Sequence, residues 1–336
     1  MPTRAESLDP WWHMSVESLR AGAGSLWYSG GPGSPPALPG LSSSAPPPDA
    51  RAAVPRWCEP CTIAAAAAGR IGRALLGVVS QVPWDRHPAV LARDVTALDV
   101  VSGGRAAVVL RWVGRGQEGC GEVGRGQEGR GQEGRGQEGR GQEDEEGDGD
   151  AGEPGDLSTA CEHLGEAVAV CRAVLQDEDP VFEGRYLHIA GAVNRPHPVH
   201  PGGPPIVVHP PAGALGLAGS EGRASLSLLV REIVVGASAI VCSDEAGEVS
   251  RWRALFDDAA AAGWTASDPA GAPKVLCRVN LASSARSATA AEVRHRLEVA
   301  RAAGADGVVV RLAGVPRGDA EGLASALAGC FAPWRP

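Results

Sequence analysis

The stretch Arg86-His-Pro-Ala-Val-Leu-Ala-Arg-Asp-Val-Thr-Ala-Leu-Asp-Val-Val-Ser-Gly-Gly-Arg105 decides the fold of this chain. Its apolar residues Leu91, Val95 and Leu98 recur at the spacing that places side chains on one face of an α-helix. We therefore predict an amphipathic helix over Pro88–Val101 that buries this face against a core.

Both ends of this helix carry recognisable signals. Pro88 suits the first helical turn, where its missing N–H costs nothing, and Gly103-Gly104 suits a stop, because glycine adopts left-handed backbone readily. Ala106–Val113 follows at once and is apolar and valine-rich, which is typical of a strand buried on both faces.

The same alternation of strands and helices continues outward in both directions, and it predicts an α/β fold with a parallel sheet covered by helices. The predicted strands are Ser25–Ser29, Ala74–Val82, Ala106–Val113, Ile206–His209, Ala239–Cys242, Val275–Ala282 and Gly307–Leu312. The predicted helices include Glu59–Gly69, Pro88–Val101, Leu157–Leu175, Glu248–Ala262, Ala290–Ala303 and Asp319–Cys330.

Two segments interrupt this pattern. Residues 30–55 are rich in Pro, Ser and Gly and predict a long exposed loop. Residues 114–156 contain repeats of Arg-Gly-Gln-Glu-Gly and then the acidic run Asp144–Asp150. Because two glycines in every five residues oppose a helix and no residue of the unit favours burial, we predict a solvated insertion, with a partner-binding tail as the alternative. The whole chain, residues 1–336, is then a single domain with two insertions.

Composition excludes several classes of protein. The 336 residues carry a formal net charge of −9 and lack a long basic stripe, which argues against nucleic acid as a partner. No stretch approaches the roughly 18 apolar residues that a membrane span needs, and Met1–Trp12 contains Arg4, Glu6 and Asp9 rather than the apolar core of a secretory signal. The eight cysteines are scattered, as expected for buried thiols, so we predict a cytoplasmic protein.

The stretch that opens this section fits the pattern P-x-x-x-A-R-x-x-x-x-L-D-x-x-S-G-G-R from Pro88 to Arg105. It resembles the signature helix between the third and fourth strands of the luciferase-like flavin-dependent monooxygenases. Phe182-Glu-Gly-Arg-Tyr186 and Ala302–Val310 resemble later segments of the same family in the right order. The spacing is similar to the nitrilotriacetate and pristinamycin-synthase type subgroup.

This resemblance implies a (β/α)8 TIM-type barrel whose first strand is either missing or the weak segment Met1–Leu8. It also implies a two-component monooxygenase. A separate flavin reductase would supply reduced FMN, and the chain would use oxygen to oxidise a small organic substrate. Some relatives transfer hydride with a deazaflavin instead, and dimers are common among them.

The resemblance suggests cofactor-binding positions but no catalytic residue. Val79 and Ser80 match a non-prolyl cis peptide behind the flavin ring, and His209 and Gly213 lie where a phosphate-binding loop would follow the fifth strand. That loop reads His209-Pro-Pro-Ala-Gly213, and its two prolines remove two backbone donors. A degenerate barrel that has lost flavin binding is therefore the second hypothesis.

Three other groups of residues have plain structural interpretations. Cys58-Glu-Pro-Cys61 has no second cysteine pair, so we expect incidental thiols rather than a redox or metal site. Prolines flank His197, His200 and His209, which opposes a metal site. We expect Arg105 to pair with a neighbouring carboxylate rather than to bind phosphate.

Overall fold

A curled sheet of seven parallel strands forms the centre of the molecule in the computed structural model. The model describes residues 23–29, 59–82, 86–112, 157–243, 247–266, 271–282 and 290–313. In chain order the described strands are β1 (Ser25–Ser29), β2 (Leu75–Val82), β3 (Ala106–Trp112), β4 (Val181–Glu183), β5 (His188–Ala190), β6 (Ile206–His209), β7 (Ala239–Ser243), β8 (Lys274–Ala282) and β9 (Gly307–Ala313). The sheet runs β1-β2-β3-β6-β7-β8-β9, and β4 and β5 form a separate antiparallel hairpin.

Helices connect these strands and cover one face of the sheet. They are α1 (Pro60–Ala68), α2 (Pro88–Ser102), α3 (Leu157–Gln176), α4 (Gly219–Gly236), α5 (Glu248–Ala261) and α6 (Ala290–Ala302). None of the described helices has the length and apolar character that crossing a membrane requires.

The fold class predicted from the sequence is confirmed. All seven predicted strands are present within one residue of their predicted bounds, and so are the predicted helices that fall on described residues. The hairpin of β4 and β5 and helix α4 were not predicted. Met1–Leu8, Asp319–Cys330 and the insertions at residues 30–55 and 114–156 lie outside the described residues.

The sheet separates two apolar regions. The larger one lies between the sheet and the helices and includes Leu76, Val108 and the fully buried Trp252. The smaller one, which we call the inner cluster, lies on the opposite, concave face of the sheet. Its buried members are Val109, Val207, Ala239 and Val241, and Trp27, Val79, Leu276 and Val309 pack against them.

The signature segment around α2 stabilises the fold through its backbone partners. Asp99, on α2, is fully buried, and its Oδ2 accepts hydrogen bonds from the backbone N–H groups of Val199 and His200, each at 2.8 Å. Its Oδ1 accepts one from Ala106 N at 3.3 Å. One carboxylate therefore joins α2, the start of β3 and the proline-rich segment that leads into β6.

The expectation for Arg105 was wrong. Its guanidinium donates to backbone carbonyl oxygens and not to a carboxylate: Ala68 O at 3.0 Å, Ala74 O at 3.2 Å, Ser102 O at 2.8 Å, and Ile71 O. The planar fork of arginine suits this, because it offers five N–H donors in fixed directions. Three of these carbonyls, those of Ala68, Ile71 and Ala74, lie at the end of α1 and in the turn before β2, so Arg105 closes that turn.

A second carboxylate anchors the turn between β4 and β5. Glu166, on α3, accepts hydrogen bonds from the backbone N–H groups of Arg185, Tyr186 and Leu187 at 2.7–2.9 Å. A Cβ at Gly184 would overlap Glu166 Oε2, so any larger residue there would force this carboxylate to shift. The Phe182-Glu-Gly-Arg-Tyr186 motif is thus a docking turn for the hairpin on α3.

Candidate functional site

The polar side chains of interest lie on the concave face, at the carboxyl ends of the strands. Successive residues of a strand alternate between the two faces of a sheet, so a residue two positions after a member of the inner cluster shares its face. Five of the side chains that this rule places above the inner cluster are polar and half-buried, and we call these five the polar layer. They are Gln81, Arg111, His209, Ser243 and Arg278.

Strand register brings the first three of these side chains to one level and the last two to a level two residues farther along the strands. Gln81 pairs with Arg111 across β2 and β3, and Arg111 pairs with His209 across β3 and β6. On the other side, Ser243 pairs with Arg278 across β7 and β8. All five are half-buried. In parallel α/β folds the carboxyl ends of the strands carry the binding and catalytic groups, so the polar layer is the candidate site.

Direct contact links the two halves of this layer. Arg278 reaches across β7, and its Nη1 lies 2.6 Å from His209 Nε2. A guanidinium can only donate, so Nε2 of His209 is the acceptor in this pair. His209 is therefore neutral, with its proton on Nδ1, which makes the remaining ring nitrogen a donor.

One described carboxylate approaches the polar layer. Glu248, in the first turn of α5, accepts hydrogen bonds from the backbone N–H of Ser243 at 3.0 Å and from the Ser243 hydroxyl. The two hydrogen bonds from Ser243 therefore fix the carboxylate of Glu248 at the end of β7. Two guanidinium groups and this one carboxylate leave the described part of the layer with a net positive charge.

The loop after β6 adjoins the layer. Gly213 and Gly219 both have positive φ, 86° and 77°, which suits glycine, and Gly219 begins α4. Arg223 donates to Gly219 O at 3.1 Å, and Arg251 donates to Leu215 O. Arginines therefore hold this loop in place from α4 and α5.

The four cofactor positions suggested by the sequence do not come together in one place. Val79 packs on the inner cluster, and His209 belongs to the polar layer. Gly213 lies in the adjoining loop, where a Cβ would be in van der Waals contact with Leu157 at the start of α3. Ser80 is buried and by alternation shares the helix-covered face with Val78.

The expected cis peptide at Val79–Ser80 was wrong. Among the described residues the cis bond is Arg195–Pro196, and Val79 and Ser80 continue the regular parallel pairing of β2 with Val109 and Leu110. Unbroken pairing on both residues leaves no bulge in β2 at this point.

Sequence reasoning missed both arginines of the layer. Arg111 interrupts the apolar strand β3, and Arg278 interrupts the apolar run Val275–Val279 of β8, each near the level where a neighbouring strand ends. That interruption was the available signal, since a charged side chain on the concave face of a buried strand needs a polar partner or a ligand.

A half-buried aromatic group also lies at the end of β3. The ring of His163, on α3, packs at a tilt against Trp112 and Tyr186, with centroid distances of 5.8 Å and 5.0 Å. Burial lowers the pKa of His163 below its ordinary value, so the ring is neutral at pH 7. By alternation Trp112 lies on the helix-covered face, which separates this group from the polar layer.

The remaining sequence candidates do not form sites within the described residues. Cys58 is not among them, and burial raises the pKa of the Cys61 thiol to about 12, which opposes redox chemistry there. The ring of His200 faces the carbonyl of Pro201. No group of three or more His, Cys, Asp or Glu residues able to hold a metal occurs in the described part of the chain.

Comparison with known proteins identifies the family. The family model described as luciferase-like monooxygenase matches residues 44–311, which is most of the chain. The chain belongs to the luciferase-like monooxygenase family. This confirms the resemblance drawn from the segment that ends at Arg105.

Three solved structures are similar to this luciferase-like protein at low sequence identity, and the two with TM-scores of 0.50 or more share its fold. The monooxygenase RslO1 from Streptomyces bottropensis is 17% identical with a TM-score of 0.51, and the match covers 83% of each chain. An F420-dependent secondary alcohol dehydrogenase is 12% identical with a TM-score of 0.50, over 96% of this chain and 78% of that one. The EDTA monooxygenase EmoA from Chelativorans sp. BNC1 is 18% identical with a TM-score of 0.49, over 88% of this chain and 60% of its own length. No curated protein matches the chain by sequence.

Proposed function

We propose that this luciferase-like protein is an oxidoreductase that binds reduced FMN at the carboxyl ends of its strands and uses oxygen to oxidise a small organic substrate. The observation that carries this proposal is the polar layer itself. It is a donor-rich surface above a closed apolar floor, at the end of the sheet where α/β folds bind ligands.

The residues present fit a flavin phosphate ester in chemical type. Val79, which is partly exposed where it packs on the inner cluster, offers an apolar contact for a flat ring. The two guanidinium groups and the Nδ1–H of His209 are donors, as an oxyanion requires. Gly213 and Gly219 permit the backbone of the adjoining loop to approach a bound group closely.

Each element would have a defined task. Reduced FMN, when bound, supplies the electrons for the reaction with oxygen. The inner cluster excludes water from beneath the site, because its four core members are at most 6% exposed. Arg111, Arg278 and His209 bind and orient negatively charged groups, and Arg278 holds the tautomer of His209.

We include in this proposal a separate flavin reductase as the source of reduced FMN, a homodimer as the assembly, and the cytoplasm as the location. The nitrilotriacetate-type subgroup remains our prediction for the nearest relatives. The alternative is a deazaflavin at the same site, with hydride transfer in place of oxygen chemistry. The binding experiment below distinguishes this alternative from the FMN-dependent reaction.

The second candidate is a barrel that no longer binds a flavin. The observation that favours it is the sequence Pro210-Pro211 immediately after β6, since proline cannot donate a backbone hydrogen bond to a phosphate. Under this hypothesis the polar layer would be a remnant of the family's site.

A binding experiment decides between these candidates. The purified full chain is titrated anaerobically with FMN, reduced FMN and reduced deazaflavin, and binding is followed by fluorescence and calorimetry. Micromolar affinity for reduced FMN, followed by substrate-dependent oxygen consumption, supports the monooxygenase. Selective binding of the deazaflavin supports hydride transfer, and absence of binding at millimolar concentration of every cofactor supports the degenerate barrel.

A further inference from the structure

The polar layer combines three donor groups on three different strands of one concave face. Arg111 lies on β3, His209 on β6 and Arg278 on β8. Register places Arg111 beside His209, and the 2.6 Å contact places Arg278 on the other side of the same ring. The three side chains thus converge from both sides of β6.

The tautomer of His209 adds direction to this cluster. Because Arg278 donates to Nε2, the Nδ1–H of His209 is a donor, and Arg111 has donors alone. Such a cluster complements a negatively charged acceptor and opposes a cation or a donor. Its half-buried position weakens screening by water relative to the protein surface, which strengthens binding of an oxyanion.

We infer that Arg111, His209 and Arg278 form an oxyanion subsite on the concave face. This inference rests on the proposed function for its setting and specifies the ligand chemistry of the same site. The oxyanion has two sources that share this chemistry, the phosphate ester of the cofactor and a carboxylate of the substrate. We call these the phosphate arm and the carboxylate arm of the test.

The phosphate arm compares FMN with riboflavin, which has the same ring and lacks the phosphate. If the subsite holds the phosphate, the wild type binds FMN at least ten-fold more tightly than riboflavin. In Arg278→Gln this preference falls to less than three-fold, while riboflavin affinity stays within two-fold. Arg231→Gln is the matched control, because Arg231 pairs with Glu232 on the exposed side of α4.

The carboxylate arm uses succinate as the probe and the side-chain ¹⁵N resonances of His209 as the readout. If the subsite holds a substrate carboxylate, the preference for FMN over riboflavin is the same in Arg278→Gln as in the wild type, and succinate shifts the His209 resonances in the wild type and in Arg231→Gln. In Arg278→Gln and Arg111→Gln the succinate affinity falls at least ten-fold. Arg278→Lys retains the charge without the fork, so it recovers part of that affinity.

The inference is overturned if FMN discrimination and succinate affinity both stay within two-fold of wild type in Arg278→Gln and Arg111→Gln. Its failure is distinct from failure of the proposed function. Tight flavin binding in a chain whose FMN preference and succinate affinity both ignore the two arginines would retain the oxidoreductase and remove the subsite. Arginine-dependent binding of succinate in a chain that binds no flavin would retain the subsite and remove the oxidoreductase.

Discussion

Replacement of Asp99 by alanine should destabilise the protein by about 3–5 kcal/mol, because it leaves three backbone N–H groups without their acceptor in the core. Two of the lost hydrogen bonds are 2.8 Å long, and the third is 3.3 Å. A hydrogen bond to a charged group contributes about 1.5–3 kcal/mol, and we count the long one as the weakest. We expect less than the sum of the three contributions, because the segment near Val199 can move after the substitution and its N–H groups can then bind water.

The assay is urea unfolding at 25 °C, followed by tryptophan fluorescence and circular dichroism. Asp94→Ala is the matched control, because Asp94 lies on the same helix, and its carboxylate pairs with Arg86 at a partly exposed position. Such a pair contributes about 0–1 kcal/mol, so the control should lose little. Asp99→Asn keeps one acceptor oxygen and should fall between the two. If Asp99→Ala loses no more free energy of unfolding than Asp94→Ala, the assigned role of Asp99 is wrong.

Three further predictions concern the scaffold. Gly184→Ala should lower the free energy of unfolding by about 1–3 kcal/mol in a thermal melt, because the added methyl group would displace the carboxylate of Glu166. A loss below about 0.5 kcal/mol, the level of an ordinary surface substitution, would contradict this prediction. Arg105→Lys should cost about 1–3 kcal/mol in urea unfolding, since an ammonium cannot reach four carbonyls at once; a variant as stable as wild type would refute the closing role. Burial acts to raise the pKa of Glu59, but hydrogen bonds from Cys61 N–H and from Thr62, with Arg86 nearby, lower it below 4.5. The stability that Glu59 contributes is therefore present above pH 4.5, and it is lost as the pH falls through the lowered pKa. Glu59→Gln should therefore lose stability at pH 7 and show a shallower decline below pH 4.5 than wild type, and parallel pH profiles of the two proteins would count against this assignment.

The strands and helices were predictable because their signals are local. Apolar runs of valine and alanine mark strands buried on both faces, and the spacing of Leu91, Val95 and Leu98 marks the buried face of α2, all three being at most 3% exposed. Helix α4 was missed because its first turn, Gly219-Ser-Glu-Gly222, has the composition of a loop. Its stability comes from packing of residues such as Leu229 and Ile233 on α3, which a local pattern does not reveal.

The candidate site was less predictable, since it depends on register between strands that are distant in sequence. Nothing local indicates that Arg278 crosses β7 to His209, 69 residues earlier in the chain. Arg105 illustrates the opposite error. Its position beside a conspicuous motif suggested a charged partner, whereas the structure satisfies it with carbonyl oxygens of a turn more than 30 residues away.

The residues that identify the family are therefore separate from those that would bind a ligand. Asp99 and Arg105 contact backbone atoms on the helix-covered side of the sheet, and Arg278 and His209 contact each other on the concave side. We predict that stability and binding respond independently. Arg105→Lys should lower the free energy of unfolding and leave the dissociation constants for flavin and succinate within two-fold of wild type, measured well below its unfolding midpoint. Arg278→Gln should leave the free energy of unfolding and the circular dichroism spectrum as in the wild type and should weaken binding of the oxyanion. A change of ten-fold or more in the binding constants of Arg105→Lys would show that the two sides of the sheet are coupled, and the separation of scaffold from site would then fail.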